Sequence, residues 1–131
     1  LGGLIEFGRS ITAVEMQKIW LRRRAFTGAV RGFFQNCDLL LIPAQPMASP
    51  TSQEMSVIGT VPAELARLIK YTAPFDMSGN PTITLPAGFT VKQTPVAIQL
   101  VAAHLNEALL IRAGSAFQRV TDWHSRVPPR L

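Results

Sequence analysis

Side chains able to perform covalent chemistry are few in this chain, and their spacing does not form a reactive centre. A serine or threonine hydroxyl becomes a useful nucleophile at neutral pH only when a neighbouring base takes its proton. The amines and imidazoles that could do so are Lys18, Lys70, Lys92, His104 and His124. The chain has neither a Gly-x-Ser-x-Gly turn nor a Gly-Gly-Ser-Ser-Gly loop to place a serine beside one of them. We therefore predict that no catalytic residue lies within these 131 residues.

Metal-ligating side chains are equally sparse. Cys37 is the single cysteine and cannot form an internal disulfide, and two histidines do not complete a zinc ligand set with it. We predict no metal and no cofactor, and a buried packing role for Cys37. His104 is expected to cap a helix or to face solvent rather than to act as a base. A chain without disulfides is typical of a reducing compartment, so we predict a cytoplasmic location.

Length, composition and charge favour one folded domain without a membrane or nucleic-acid partner. The 47% apolar content argues against disorder, and the longest apolar runs, such as residues 39–42, are far shorter than the ~20 residues of a membrane helix. The formal charge of +5 would suit an anionic partner. However, Arg22, Arg23 and Arg24 are consecutive, and at about 100° per residue they fan around a helix instead of forming a stripe along it. We therefore interpret the arginines as a solvated or subunit-contacting face.

A long helix is predicted to begin at Thr12. The spacing of Thr12 and Glu15 lets a hydroxyl and a carboxylate each satisfy a main-chain N–H group at the helix start. Apolar residues then recur at three- and four-residue steps as far as Asn36, which is typical of a helix lying on a core. These residues are Met16, Ile19, Trp20, Phe26, Val30, Phe33 and Phe34.

Three strands are predicted after this helix. Residues 39–42 are uniformly apolar and stop at a proline, as in a strand covered on both faces within a parallel or mixed sheet. Residues 82–85 form the second strand, which should end at Pro86, and residues 96–102 form the third. Residues 91–94 should join the last two strands as a hairpin. The predicted fold is α/β, with a mixed sheet of about three strands flanked by helices.

Turn and cap residues define the remaining segments. Residues 44–59 are rich in Pro, Ser and Thr, and are predicted to be a long irregular loop. A helix should begin at Pro62 and stop before Pro74. Asn106 should cap the last helix, and the tail of residues 122–131 should be extended. The apolar stripe predicted for that helix consists of Leu109, Leu110, Ala113, Ala116, Phe117 and Val120.

Four short sequence elements follow one another in an order found in a known enzyme family. They are an Asp-led apolar run with two prolines, a Thr-x-Pro run, a strand ending in Leu-Pro-x-Gly, and a Pro-x-x-x-Gln strand followed by an acidic-x-Leu-Leu helix start. The residues that carry them are Asp38, Pro43, Pro46, Thr72, Pro74, Phe75, Asp76, Gly79, Pro81, Leu85, Pro86, Gly88, Pro95, Val96, Gln99 and Glu107. Over about residues 12–123 the chain resembles the C-terminal part of the amidase signature hydrolases.

The resemblance implies that the chemistry lies outside this chain. Members of the family hydrolyse amides with a nucleophilic serine, a second serine whose peptide bond is cis, and a lysine that shuttles protons. All three precede the region matched here. The resemblance therefore implies that residues 1–131 are the C-terminal fragment of an amidase domain whose catalytic N-terminal part is absent. The full-length protein would cleave a small amide, and this part alone would be inactive.

The resemblance also implies which residues of this chain lie beside the substrate. They are Gln45 and Met47 in the loop after the first strand, and Phe75 and Asp76 in the Thr-x-Pro run. Alternatively, Met47 fills a gap in the core. Asp76 stands where the family commonly has Asn, and would either recognise a cationic substrate group or stabilise a turn. Amidotransferase members carry an aspartate where this chain has Ile69, which argues against glutamine as the substrate.

Two other functions fit the same sequence, and one assembly state follows from the first interpretation. A non-catalytic α/β interaction module could share the amidase scaffold, and a basic nucleic-acid binder would show salt-dependent affinity. If the strands belong to a larger sheet, the isolated chain exposes apolar strand edges, and such surfaces associate. We therefore predict a homo-oligomer.

Overall fold

Three antiparallel strands form the centre of the structure, a computed structural model that describes residues 2–127. The strands are β1 (Leu39–Pro43), β2 (Thr82–Phe89) and β3 (Pro95–Ala102), in the spatial order β1-β3-β2. The helices are α1 (Gly2–Ser10), α2 (Ala13–Phe33), α3 (Ser52–Ile58), α4 (Pro62–Leu68), α5 (Ala73–Ser78) and α6 (Glu107–Arg119), followed by a 3-10 turn at Trp123–Ser125. The α/β class with about three strands flanked by helices is confirmed.

The pairing of β1 differs from the sequence-based expectation. This strand pairs antiparallel with β3, so the sheet formed by the described residues is antiparallel throughout. It also lies at an edge, and Leu41 in its middle is 61% exposed. A uniformly apolar run indicates that a strand can be covered on both faces, but it does not encode the direction of its neighbour. That direction is set by where the rest of the chain brings β3.

The hairpin of β2 and β3 is confirmed, although β2 is longer than predicted. It continues past Pro86 to Phe89, and the register with β3 shifts between Pro86 and Gly88. Proline has no main-chain N–H group to donate to a neighbouring strand. It is tolerated here because β2 is an edge strand and because the pairing with β3 is interrupted by a bulge. Gly88 has a φ of 146°, a conformation that side chains disfavour.

Helix α6 covers one face of the sheet. Leu110 and Gly114, one turn apart, are its buried residues. A Cβ atom added at Gly114 would lie 3.2 Å from the Ile83 side chain, so glycine lets this helix approach β2 closely. The predicted stripe is confirmed in part, because Ala116 is exposed and Val120 is 81% exposed, while Leu110 is buried. The other members of the stripe, Leu109, Ala113 and Phe117, are partly buried. Asn106 precedes the helix as predicted, but its side chain makes no cap hydrogen bond.

Helix α2 begins as predicted but does not lie on a core. Thr12 and Glu15 form the reciprocal pair of hydrogen bonds of a capping box. No residue of the helix is buried. The side chains of its predicted apolar stripe remain between 39% and 49% exposed at Met16, Ile19, Trp20, Phe26 and Phe33. The helix rests on α5, where the Nε atom of Arg23 donates to the carbonyl oxygen of Met77 at 2.8 Å.

The segment predicted as an irregular loop, residues 44–59, contains helix α3. Its start repeats the device that begins α2, because Thr51 and Glu54 form a second capping box. The loop prediction was therefore wrong for Ser52–Ile58. The prediction gave more weight to the Pro, Ser and Thr content of residues 44–59 than to the capping-box spacing of Thr51 and Glu54. The helix predicted from Pro62 is confirmed as α4, and Pro74 lies in the first turn of the separate helix α5, where proline is tolerated.

The turn before β2 is held by a buried amide. Gly79 has a φ of 79° and ends α5 in the left-handed conformation. The Nδ2 atom of Asn80 donates to the carbonyl oxygen of Ala102 at 2.8 Å, and its Oδ1 atom accepts from the hydroxyl of Ser78 at 2.7 Å. Both polar groups of Asn80 are thus satisfied, and they fix the turn to the end of β3.

Three other expectations have mixed outcomes. Cys37 is partly exposed rather than buried, and His104 is exposed as expected. The tail is not simply extended, because the 3-10 turn places Trp123 against Phe89 with ring centroids 6.1 Å apart. Residues 128–131 of the predicted tail lie outside the described residues. Between residues 2 and 127, no helix is long and apolar enough to cross a membrane.

The two capping boxes make the starts of α2 and α3 sensitive to acid. The main-chain N–H group and then the hydroxyl of Thr12 lower the pKa of Glu15, and Thr51 lowers the pKa of Glu54 in the same way. A carboxyl group whose pKa is lower in the folded state stabilises the fold above its unfolded pKa. That contribution is lost as the pH falls through the folded pKa.

We expect helical ellipticity to fall between about pH 5 and about pH 2 as these carboxylates are protonated. Circular dichroism across that range measures the effect. The variant Glu15→Gln/Glu54→Gln is the control, because glutamine can complete a capping box without titrating. Equal acid losses in the control and the wild type would contradict this assignment.

Candidate substrate-binding clefts

The face of the sheet opposite α6 forms one wall of a cleft of about 560 Å³, here called the sheet cleft. Thr84, Pro86 and Ala97 contribute that wall from β2 and β3. The other walls come from the segment after β1 and from the region between α4 and α5. Their residues are Ala44, Gln45, Ser49, Leu68, Ile69 and Thr72. Gln45 and Thr72 belong to segments that the family resemblance assigned to the substrate, whereas Leu68, Ile69 and the strand residues do not.

The lining of the sheet cleft is uncharged. It consists of aliphatic and proline side chains with a few neutral polar groups, among them Gln45, Ser49, Thr72 and Thr84. Placing an ion in such surroundings is unfavourable unless a partner charge accompanies it, whereas a neutral polar group needs only hydrogen bonds. None of the described residues lining the cleft is a lysine or histidine that could activate a hydroxyl. The cleft is thus suited to binding a neutral ligand, and its lining supplies no general base.

A larger cleft of about 1070 Å³, here called the loop cleft, adjoins the first and shares Ser49 with it. It lies between α3, α4 and the β2–β3 loop. Its lining is charged, with Arg67 and Glu64 forming an ion pair at 3.5 Å and Lys92 on the loop. Glu54 also lines it, but its carboxylate caps α3 through two hydrogen bonds to Thr51. The two clefts therefore differ in chemistry although they meet at one residue.

The structure separates the four residues predicted to contact substrate. Gln45 lines the sheet cleft and Met47 lines the loop cleft. Phe75 and Asp76 lie on α5 and line neither cleft, Phe75 being partly buried and Asp76 exposed. What reaches the sheet cleft from that run is Thr72, immediately before α5.

Ile69 and the strand residues opposite it were not predicted as part of a binding wall. Ile69 lines the sheet cleft together with Thr84 and Pro86. Alternation along β2 could have placed Thr84 and Pro86 on one face, but nothing in the sequence indicated which face of the sheet would remain open.

Comparison with known sequences gives one consistent family. The sequence model of the family described as Amidase matches residues 5–111. The protein named "Putative amidase AmiD" of Mycobacterium tuberculosis is 46% identical over 126 residues, which cover 96% of this chain and 26% of that protein. A glutamyl-tRNA(Gln) amidotransferase chain of Thiobacillus denitrificans is 33% identical over 118 residues, covering 90% of this chain and 23% of that one. The chain spans about a quarter of the length of these curated relatives.

Solved structures share the fold. A 6-aminohexanoate cyclic dimer hydrolase in complex with substrate superposes with a TM-score of 0.83 at 23% identity, over 96% of this chain and 28% of that chain. A glutamyl-tRNA(Gln) amidotransferase chain of Thermotoga maritima gives a TM-score of 0.77 at 19% identity, over 91% of this chain and 25% of that one. The arrangement of helices and strands described above is therefore that of one part of these larger proteins.

Proposed function

Because this chain belongs to the amidase family, we propose that it is the C-terminal part of a hydrolase that cleaves the carbon–nitrogen bond of small amides. Its role is to complete the scaffold and to supply one wall of the substrate pocket. The serine, cis-serine and lysine that perform the reaction belong to the N-terminal part of the same protein, which we place in the cytoplasm.

The observation that carries this proposal is the surface left open by the structure. The chain exposes 9918 Å², whereas a compact monomer of this size would expose about 6,800 Å². Much of the apolar stripe of α2 contributes to that excess, since Trp20 and Phe33 are each nearly half exposed. Surfaces of this kind are normally covered by another part of the protein or by a partner. The relatives, about four times as long, contain enough additional chain to cover them.

The sheet cleft is the part of the pocket that this chain provides. Gln45 and Thr72 offer neutral hydrogen-bonding groups to a neutral amide, and Met47 lines the adjoining loop cleft. Ile69 places an aliphatic side chain in the sheet cleft, so the cleft offers no carboxylate to a substrate amino group. This favours a neutral amide over glutamine. Phe75 and Asp76 lie on α5, directly after Thr72 in the chain, and would contribute indirectly by positioning the segment that reaches the cleft.

The full-length protein tests the proposal directly. It should hydrolyse simple acyl p-nitroanilides, and replacing the nucleophilic serine of its N-terminal part with alanine should lower kcat by at least about 10³-fold. Full activity in that serine variant would remove the proposed mechanism. A full-length protein that hydrolyses no amide would remove the proposed function itself and favour the non-catalytic interaction module.

The exposed apolar surface also leads us to expect self-association of the isolated 131-residue chain. With the remainder of the protein absent, the half-exposed side chains of α2 and the free edges of β1 and β2 should pair between copies. Sedimentation velocity over a range of concentrations measures the assembly. The variant Trp20→Lys/Phe33→Lys should shift it toward monomer, and a wild-type chain that stays monomeric at high concentration would contradict the prediction.

A further inference from the structure

Gln99 occupies the middle of the central strand and is almost completely buried. It lies on β3 with a relative exposure of 2%. The register pairs it with Ile42 on β1 and with Thr84 on β2. Residues that are directly opposite one another in a sheet project from the same face. The side chain of Gln99 therefore belongs to the face that carries Thr84.

The carboxamide nitrogen of Gln99 is an unusual group at this depth. Its Nε2 atom has no hydrogen-bond partner among the residues that the structure describes. Buried side-chain polar atoms nearly always have a partner, because an unsatisfied donor carries the full penalty of leaving water. Asn80, a second buried amide, satisfies this rule by donating to Ala102 and accepting from Ser78. Gln99 thus presents a desolvated donor that the described chain does not use.

The sheet cleft lies on the same face as Gln99. Thr84, its cross-strand partner, lines that cleft, as does Ala97, two residues away on the same face of β3. Gln99 itself does not line the cleft, so an acceptor would have to reach its side chain from between Thr84 and Ala97. An aliphatic residue of the same volume would pack there without the desolvation penalty of an amide, so packing does not explain the glutamine.

We propose that Gln99 determines specificity by donating a hydrogen bond from Nε2 to an oxygen atom of the substrate bound in the sheet cleft. The acceptor is a second oxygen of the substrate, separate from the carbonyl of the amide that is cleaved. The enzyme would then favour amides that carry such an oxygen over otherwise identical amides that lack it. This inference rests on the proposed function, because it assigns a ligand to the same cleft.

The experiment compares hydrolysis of hexanoyl p-nitroanilide with its keto forms, which carry a second carbonyl at each internal position of the acyl chain. In the wild-type full-length protein, at least one keto form should have a KM about 5-fold lower than the parent. The variant Gln99→Met keeps the side-chain length and removes the donor. It should abolish that advantage and leave Tm unchanged or higher.

Gln35→Met is the matched control, since it makes the same chemical change at an exposed position after α2. It should retain the preference for the keto form. Equal KM values for all probes in the wild type, or an undiminished preference in Gln99→Met, would overturn the inference. A fall in Tm in Gln99→Met beyond that of Gln35→Met would also overturn it, because the acceptor would then belong to the protein. Absence of any turnover by the wild type would instead remove the proposed function.

Discussion

Purified by itself, the 131-residue chain should hydrolyse p-nitroanilides no faster than buffer does, while the full-length protein should exceed that rate by at least about 10⁶-fold. The physical reason is the makeup of the sheet cleft. Its lining offers hydroxyl and amide groups but no amine or imidazole, and a hydroxyl without a base stays protonated at neutral pH. Binding groups alone do not supply the charge stabilisation and proton transfer on which hydrolysis depends.

The measurement is release of p-nitroaniline by equal molar amounts of the two proteins, with the chain shown to be folded by circular dichroism. The variant Ser49→Ala of the full-length protein is the control within this chain, because Ser49 lies where the two clefts meet. It should retain kcat within about 10-fold of the wild type. Turnover by the isolated chain above the buffer rate would refute the prediction, and its loss when the isolated chain carries Ser49→Ala would show that Ser49 belongs to the reactive centre.

Replacing Leu110 with alanine should cost the isolated chain about 2–5 kcal/mol of unfolding free energy. Leu110 is 3% exposed and lies one turn before Gly114, which lets α6 approach β2 closely. The buried apolar residues of the described chain are few, so this side chain carries a large share of the packing. Since small domains are stable by only about 5–15 kcal/mol, the loss should be a large fraction of the stability of this one.

Urea denaturation followed by circular dichroism measures the change in the midpoint and in the free energy of unfolding. Ile111→Ala is the matched control, because Ile111 is the next residue of the same helix and is 63% exposed. It should change stability by less than about 1 kcal/mol, in part because alanine favours helix. Equal destabilisation by the two variants would show that α6 does not pack on the sheet as described.

The contrast between Leu110 and Ile111 shows what apolar periodicity can predict about the buried side of a helix. The apolar stripe of α6 predicted the buried side of that helix, since α6 does cover the sheet. The same reasoning applied to α2 predicted a core-facing helix, and no residue of α2 is buried. Periodicity reports that a helix has an apolar side, but it carries no information on whether anything in the same chain covers it.

For the candidate site, the two segments named from the sequence reach a cleft, but two of the four named side chains line neither cleft. The resemblance pointed to the loop after β1 and to the Thr-x-Pro run, and both reach the sheet cleft, through Gln45 and Thr72. Phe75 and Asp76 remain on α5 outside it. Which residue of a run faces a cleft depends on the orientation of its helix, and that orientation depends on packing between distant parts of the chain.

The sequence by itself determined where elements begin and turn, because those decisions are made by hydrogen bonds and backbone restrictions within a few residues. Thr12 with Glu15, Pro62 and the glycine after α5 are of this kind. Only the tertiary structure decided the antiparallel order β1-β3-β2, the passage of β2 through Pro86, and the burial of Gln99. Each of these depends on contacts between residues that are far apart in the chain. The spacing of residues within one segment does not encode the free energies of such contacts.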